Sequence, residues 1–247
     1  MNRVAIVTGA SRGIGAATAR AFAQAGVAVA LAARDGNALT ALAREIEAAG
    51  GRALAVPTDV TEPAAVAALV EQTVATFGRL DAAVNNAGGG HRPTPLAELS
   101  VEEFDAAVRL NLRSVFFGMK FEIPAMLVSG GGAIVNLTST AGLQGVRQIG
   151  GYVAAKHGVV GLTATAALEY GARGIRVNAV APGPILTERL AAAGDDVRAQ
   201  AARARPLGRV GRPEEVAALV LWLCSDQAGF ITGTTIPIEG GALAGVA

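Results

Sequence analysis

The stretch Val4-Ala5-Ile6-Val7-Thr8-Gly9-Ala10-Ser11-Arg12-Gly13-Ile14-Gly15 decides the fold. Residues 4–7 are apolar and rich in β-branched side chains, which suits a short buried strand. The run from Gly15 to Ala25 has the small-residue, amphipathic pattern of a helix. Between them lie Gly9, Gly13 and Gly15, which let the chain turn sharply and approach a ligand through its backbone. A helix N-terminus behind such a loop offers free N–H donors and a positive dipole end to a phosphate. A glycine cluster alone is only a tight turn. A strand before it and a helix after it make a dinucleotide pyrophosphate the better reading. The spacing is Gly-x-x-x-Gly-x-Gly, not the more familiar Gly-x-Gly-x-x-Gly.

Outward from that segment, short β-rich runs alternate with helical ones. Strands are expected at 4–7, 27–33, 52–56, 80–84, 133–137, 176–180 and 235–238. Helices are expected at 37–49, from Pro63 onward, at 100–120, at 151–170 and at 213–225. Leu39, Leu42 and Ile46 share one helical face, as do Val66, Leu69, Val70 and Val74. The strands are apolar on both faces, as a sheet covered on both sides requires. Strands alternating with helices pair in parallel through right-handed crossovers. The expectation is α/β: a single-domain doubly wound Rossmann fold over 1–247, with a parallel sheet of about seven strands.

Composition removes other classes. Of 247 residues, 51% are hydrophobic and 17% charged, against a usual charged share of about 25%. That excludes disorder, and the apolar surplus points to subunit contacts. Cys224 alone cannot form a disulfide scaffold, and no Cys/His cluster has metal-ligand spacing, so no metal is expected. His91 and His157 read as structural. A net charge of +1 gives no footprint for nucleic acid or an anionic membrane. No apolar run reaches 18 residues, and 4–7 is too short for a signal peptide, so a cytoplasmic protein is expected.

Several further segments resemble the short-chain dehydrogenase/reductase family: Thr8–Gly15, Asn85-Asn86-Ala87-Gly88, Asn111, Ser139, Tyr152-x-x-x-Lys156 and Pro182-Gly183. They occur in family order from residue 8 to 183, and Gly233 with Gly240-Gly241 extends the likeness to nearly the whole chain. The resemblance implies a carbonyl or secondary-alcohol oxidoreductase with a nicotinamide dinucleotide. It makes Gly9, Ser11, Arg12, Gly13, Ile14 and Gly15 cofactor-binding, with Arg12 on a 2′-phosphate or the adenine face, and puts Asp59 with Val60 on the adenine. Asn86, Ala87 and Gly88 would border the cofactor. Pro182 and Gly183 would wall the nicotinamide, with the Ile185 backbone and the Thr187 side chain as carboxamide partners. Residues 187–206, alanine-rich, resemble the substrate lid.

Asp35 lies 20 residues past Gly15 and satisfies a simple acidic rule for NAD. The end of the second strand, however, is Ala33, and Arg34 follows. A guanidinium there suits a 2′-phosphate, so NADP(H) is expected over NAD(H).

Tyr152 and Lys156, four apart, share one helix face. Ser139 ends strand five, where open α/β sheets bind ligands. Tyrosine has an ordinary pKa near 10, and a nearby ammonium together with a positive nicotinamide ring should lower it toward catalytic use. The family likeness makes Tyr152 the acid/base and Ser139 a hydrogen-bond donor to the substrate oxygen. Lys156 would hold the ribose, and Asn111 a water on a proton path. The substrate itself is expected to be a small-molecule ketone or alcohol in a mostly apolar pocket. The alternative, a 3-oxoacyl-(acyl-carrier-protein) reductase, needs basic residues for its acidic carrier, and only Arg173 stands in place. A catalytically inactive scaffold is disfavoured by the intact set of four. From Val153 to Leu168 the only charge is Lys156, and 240–247 is wholly apolar, which with the resemblance implies a homotetramer.

Overall fold

The structure, a computed structural model, describes residues 3–245. Seven parallel strands form one sheet: β1 (Val4–Thr8), β2 (Ala28–Ala33), β3 (Ala53–Pro57), β4 (Ala82–Asn85), β5 (Gly132–Leu137), β6 (Ile175–Pro182) and β7 (Thr235–Ile238). Their order is β3-β2-β1-β4-β5-β6-β7, so the direction of winding reverses between β1 and β4. Each strand lies within about two residues of its expected place. The period-2 geometry sends Ala5, Val7, Val29 and Leu31 into one core, and Ile6, Ala30 and Ala32 into the other.

The first core is closed by α1 (Gly13–Gln24) and α2 (Gly36–Ala48), and by the C-terminal helix Pro213–Leu223. The second is closed by α3 (Pro63–Phe77) and by two central helices. Phe22, Leu39, Leu69, Met126 and Ile134 are fully buried, each side chain contributing about 1.5–3 kcal/mol relative to exposure. Cys224 is buried, and its surroundings push the thiol pKa up to about 12, so it is a packing residue.

The expected helix at 100–120 is three pieces. α4 (Val101–Val108) passes through a π-helical turn, Arg109–Arg113, into α5 (Ser114–Ser129). α5 also runs through Pro124, where a helix would be expected to stop. Buried Ile123 and Met126 on either side anchor it against the sheet. α6 (Gly150–Tyr170) carries the Tyr-Lys pair, followed by β6. After β6 come two short exposed helices, α7 (Glu188–Ala191) and α8 (Asp195–Arg203), then α9 (Pro213–Leu223). The expected apolar C-terminus at 240–247 includes two residues, 246 and 247, outside the described ones. Among the described residues no helix is long and apolar enough to cross a membrane, and no cluster of His, Cys, Asp and Glu is arranged for a metal.

Candidate functional site

The site forms where the winding reverses, at the C-terminal ends of β1, β4 and β5. Thr8, the last residue of β1, ties that corner. Its hydroxyl donates to the Val84 carbonyl at 3.3 Å and accepts from the Asn86 and Ala87 N–H groups at 3.0 and 3.1 Å. The Asn86 amide donates back to the Thr8 carbonyl at 2.8 Å. At Gly15 any Cβ would overlap the Gly9 carbonyl and stand 2.7 Å from Asn86 Nδ2. Gly9 and Gly13 take left-handed φ values of 66° and 55°. The loop is thereby drawn tight over the β4 tip, with Arg12 as the extended N-cap of α1, exposed beside Ser11 and the half-buried Ile14. The Gly13 N–H donates to a Glu188 carboxylate oxygen at 3.4 Å, so the helix end already accepts an anionic group.

At the adenine end, β2 closes on Ala33 and Arg34 is exposed, with no carboxylate paired to it among the described residues. Asp35 caps α2, accepting from the Ala38 N–H at 3.0 Å. Asp59 follows β3. One of its oxygens accepts from both the Thr61 N–H and hydroxyl, at 2.9 and 2.8 Å. Those bonds, and then the Arg34 and Arg109 charges, hold its carboxyl below the usual range. Val60 beside it is buried.

At the other end Ser139, Asn111 and the Tyr152–Lys156 pair of α6 come together from three parts of the chain. Ser139 follows β5, and its Oγ caps a 3-10 turn by accepting from the Ala141 N–H at 3.2 Å. Thr138 Oγ1 donates to the Lys156 carbonyl at 2.8 Å and locks α6 against the end of β5. Lys156 is 3% exposed and donates from Nζ to the Leu137 carbonyl at 2.6 Å. Gly88 lies over both Lys156 and Asn111. A Cβ there would stand 2.8 Å from Asn111 Oδ1 and 3.5 Å from Lys156 Nζ. The Asn111 amide is engaged at 2.9 Å in each bond: it accepts from the Gly89 N–H and donates to the Gly89 and Ala107 carbonyls.

The titration of the pair departs from expectation. Lys156 Nζ points to the Leu137 carbonyl and lies 5.7 Å from the centre of the Tyr152 ring. Burial raises the Tyr152 pKa above its ordinary value, offset in part by the Ser139 hydroxyl and by the charge of Arg189. Burial alone lowers Lys156 to about 8. Burial, the largest effect on the phenol in this structure, acts against its ionisation.

Pro182 ends β6, and Gly183 packs against Glu239. Ile185 is buried and paired with Gly211. Thr187 Cγ2 lies 3.0 Å from where a Gly13 Cβ would be, so the start of 187–206 rests on the glycine loop. His157 bonds within its helix to the Val153 carbonyl at 2.9 Å, and His91 to the Arg92 carbonyl at 2.7 Å. Sequence reasoning missed Thr8 and Thr138 as fasteners, Arg189, and a buried polar chain behind the site. In that chain the Asn85 amide donates to Glu122 and to Asn136, each at 3.0 Å, and the Asn136 amide donates to Thr163 at 3.0 Å. An acid placed between Lys120 and Pro124 carries no signal of burial.

Comparison with known proteins agrees with this geometry. A family model described as enoyl-(acyl carrier protein) reductase matches residues 9–242. Cyclohexanol dehydrogenase of Acinetobacter sp. (strain SE19) is 46% identical over 239 residues, covering 97% of this chain and 94% of that one. Cis-4-hydroxycyclohexanecarboxylate dehydrogenase of Sinomonas cyclohexanicum is also 46% identical over 239 residues, covering 97% and 96%. The crystal structure of levodione reductase superposes with a TM-score of 0.95 at 37% identity, covering 99% of this chain and 98% of that one.

Proposed function

The chain belongs to the short-chain dehydrogenase/reductase family, and from that premise we propose that it interconverts a small alicyclic ketone and its secondary alcohol, using NADP(H) in preference to NAD(H). As a member it is an NAD(P)-dependent oxidoreductase of alcohol or ketone groups. The convergence of Ser139, Tyr152, Lys156 and Asn111 beside the glycine loop carries the rest of the reading.

The cradle fits a dinucleotide: Gly15 has no room for a side chain, and the Gly13 N–H takes an anionic oxygen. When bound, the nicotinamide supplies or accepts the hydride. Lys156 holds the ribose hydroxyls with the two ammonium hydrogens that Leu137 does not use. The Tyr152 phenol, kept protonated by burial, gives its proton to the carbonyl oxygen as charge develops there. The Ser139 hydroxyl donates to the same oxygen. Both Asn111 amide hydrogens are spent on carbonyls, so the turn's backbone is left to hold a water toward Lys156.

NADP(H) preference rests on Arg34, unpaired at the end of β2, and on Asp35 being committed to its helix cap. A free small molecule is preferred to a carrier-bound thioester because the one candidate carrier contact, Arg173, lies against the Tyr170 ring at 5.8 Å. Residues 187–206 serve as the substrate lid, since α7 spans from the glycine loop to the loop after β4.

The outer face of α6 supports a homotetramer. Lys156 points inward, so that face has no charge before Glu169, and Leu168 is 86% exposed. Phe116 and Val128 on α5 are exposed as well. Light scattering should return a multiple of the 24.7 kDa chain mass. The test of the reaction is a panel of cyclohexanone, cyclohexanol and an acetoacetyl carrier protein with NADPH and NADH, or their oxidised forms. Turnover of the ring compounds with the phosphorylated cofactor is expected. Faster turnover of the carrier-bound substrate, or a preference for NADH, would contradict it.

A further inference from the structure

Two neighbouring residues of α7 reach opposite sides of the cleft. Glu188 turns toward the glycine loop, where its carboxylate takes the Gly13 N–H. Arg189 turns the other way, over the loop that follows β4. One guanidinium nitrogen lies 3.1 Å from where a Gly90 Cβ would stand. A Cβ at 90 would crowd this guanidinium tip. The same charge reaches Tyr152 and favours its phenolate. The guanidinium thus lies over Gly90, two residues past the Gly88 that borders Asn111 and Lys156. Arg189 is exposed, and among the described residues no carboxylate pairs with it and no acceptor takes its N–H groups.

The neighbouring loops carry apolar side chains: Leu143 and Val146 in the 140–149 loop, and Leu186 just before α7, are 38–42% exposed. The loop after β4 is fastened to the 140–149 loop by the Thr94 N–H donating to the Gln148 carbonyl at 2.8 Å. A lone cation over an apolar pocket loses hydration when a substrate fills the space, and that cost falls only if the substrate brings an anion. A planar guanidinium matches a carboxylate with two parallel hydrogen bonds.

We propose that Arg189 sets substrate choice, and that the substrate carries a carboxylate on the side away from the reacting carbinol or carbonyl. This rests on the proposed ketone/alcohol chemistry of the same site. Arg189 is a specificity residue, and Tyr152 carries the proton whichever substrate is bound.

The test compares 4-oxocyclohexanecarboxylate with its methyl ester as substrates of the wild type, Arg189→Ala and Arg189→Lys. A charged hydrogen-bonded pair predicts that the acid-to-ester ratio of kcat/KM falls about 10–150-fold in Arg189→Ala, mainly through KM. Arg189→Lys should fall between, because it keeps the charge and loses the fork. A second measurement needs no turnover: calorimetric binding of cyclohexanecarboxylate, with and without NADP+. Binding should weaken at least about 10-fold in Arg189→Ala. An enzyme that reduces both ketones with the same ratio in all three forms, or binds the carboxylate equally with and without Arg189, overturns the inference alone. Carboxylate binding that depends on Arg189 in a protein that turns over neither ketone supports the inference and overturns the proposed reaction.

Discussion

Glu122→Gln should remove a pH dependence of stability that the wild type carries. Glu122 is 1% exposed, and its one hydrogen bond is the 3.0 Å contact from the Asn85 amide. Burial pushes its carboxyl from 4.5 up to about 7, against the smaller opposing effect of Asn85. Between those two values the folded chain binds a proton that the unfolded chain has already released. Stability due to this group is therefore full below about pH 4.5 and is lost as pH rises toward 7. At 1.36 kcal/mol per pH unit, the span is worth about 3 kcal/mol, and most of it falls between pH 5 and pH 8. Gln keeps the acceptor for Asn85 and cannot ionise. The observable is the melting temperature of wild type minus that of Glu122→Gln, read across the pH range so that other groups cancel. For a chain of this size the difference should move against the wild type by about 5–10 °C from pH 5 to pH 8. A difference that stays flat would refute the buried neutral carboxyl.

Three further outcomes follow from the site. Arg34→Ala should weaken NADPH binding about 10–150-fold and leave NADH nearly unchanged, by direct fluorescence titration. Asp35→Ala should cost about 1 kcal/mol as a lost helix cap and leave the NADPH-to-NADH ratio alone; a changed ratio would return Asp35 to the ribose. Glu188→Gln removes a carboxylate from the N–H that a pyrophosphate would use, so NADP+ should bind about 2–5-fold tighter; weaker binding would make Glu188 a cofactor ligand instead.

Much of this architecture was legible because its signals are local. Two-sided apolar runs such as 28–33 and 133–137 read as buried strands, and both lie inside the sheet, β2 between β3 and β1 and β5 between β4 and β6. Tyr152 and Lys156 share a face because helix geometry alone puts them there. The rest depends on contacts that no local pattern encodes. Nothing in Arg109–Arg113 marks a π turn, and no glycine or proline interrupts it. Pro124 carries a stop signal that burial of the flanking side chains overrides. Lys156 was expected to lower the Tyr152 pKa through proximity. The fold commits one Lys156 N–H to the Leu137 carbonyl and adds burial, which moves the phenol the other way. Arg189 carries no local signal either; only the fold brings its guanidinium over Gly90 and its charge to bear on Tyr152.

In the proposed reaction the Tyr152 hydroxyl moves the proton. Tyr152→Phe deletes that oxygen and keeps the ring that packs beside Lys156. Single-turnover reduction of cyclohexanone by enzyme preloaded with NADPH separates the chemical step from binding. The rate should fall at least about 10²–10⁴-fold while NADPH affinity and melting temperature stay near wild type. A rate within a few-fold of wild type would contradict the account.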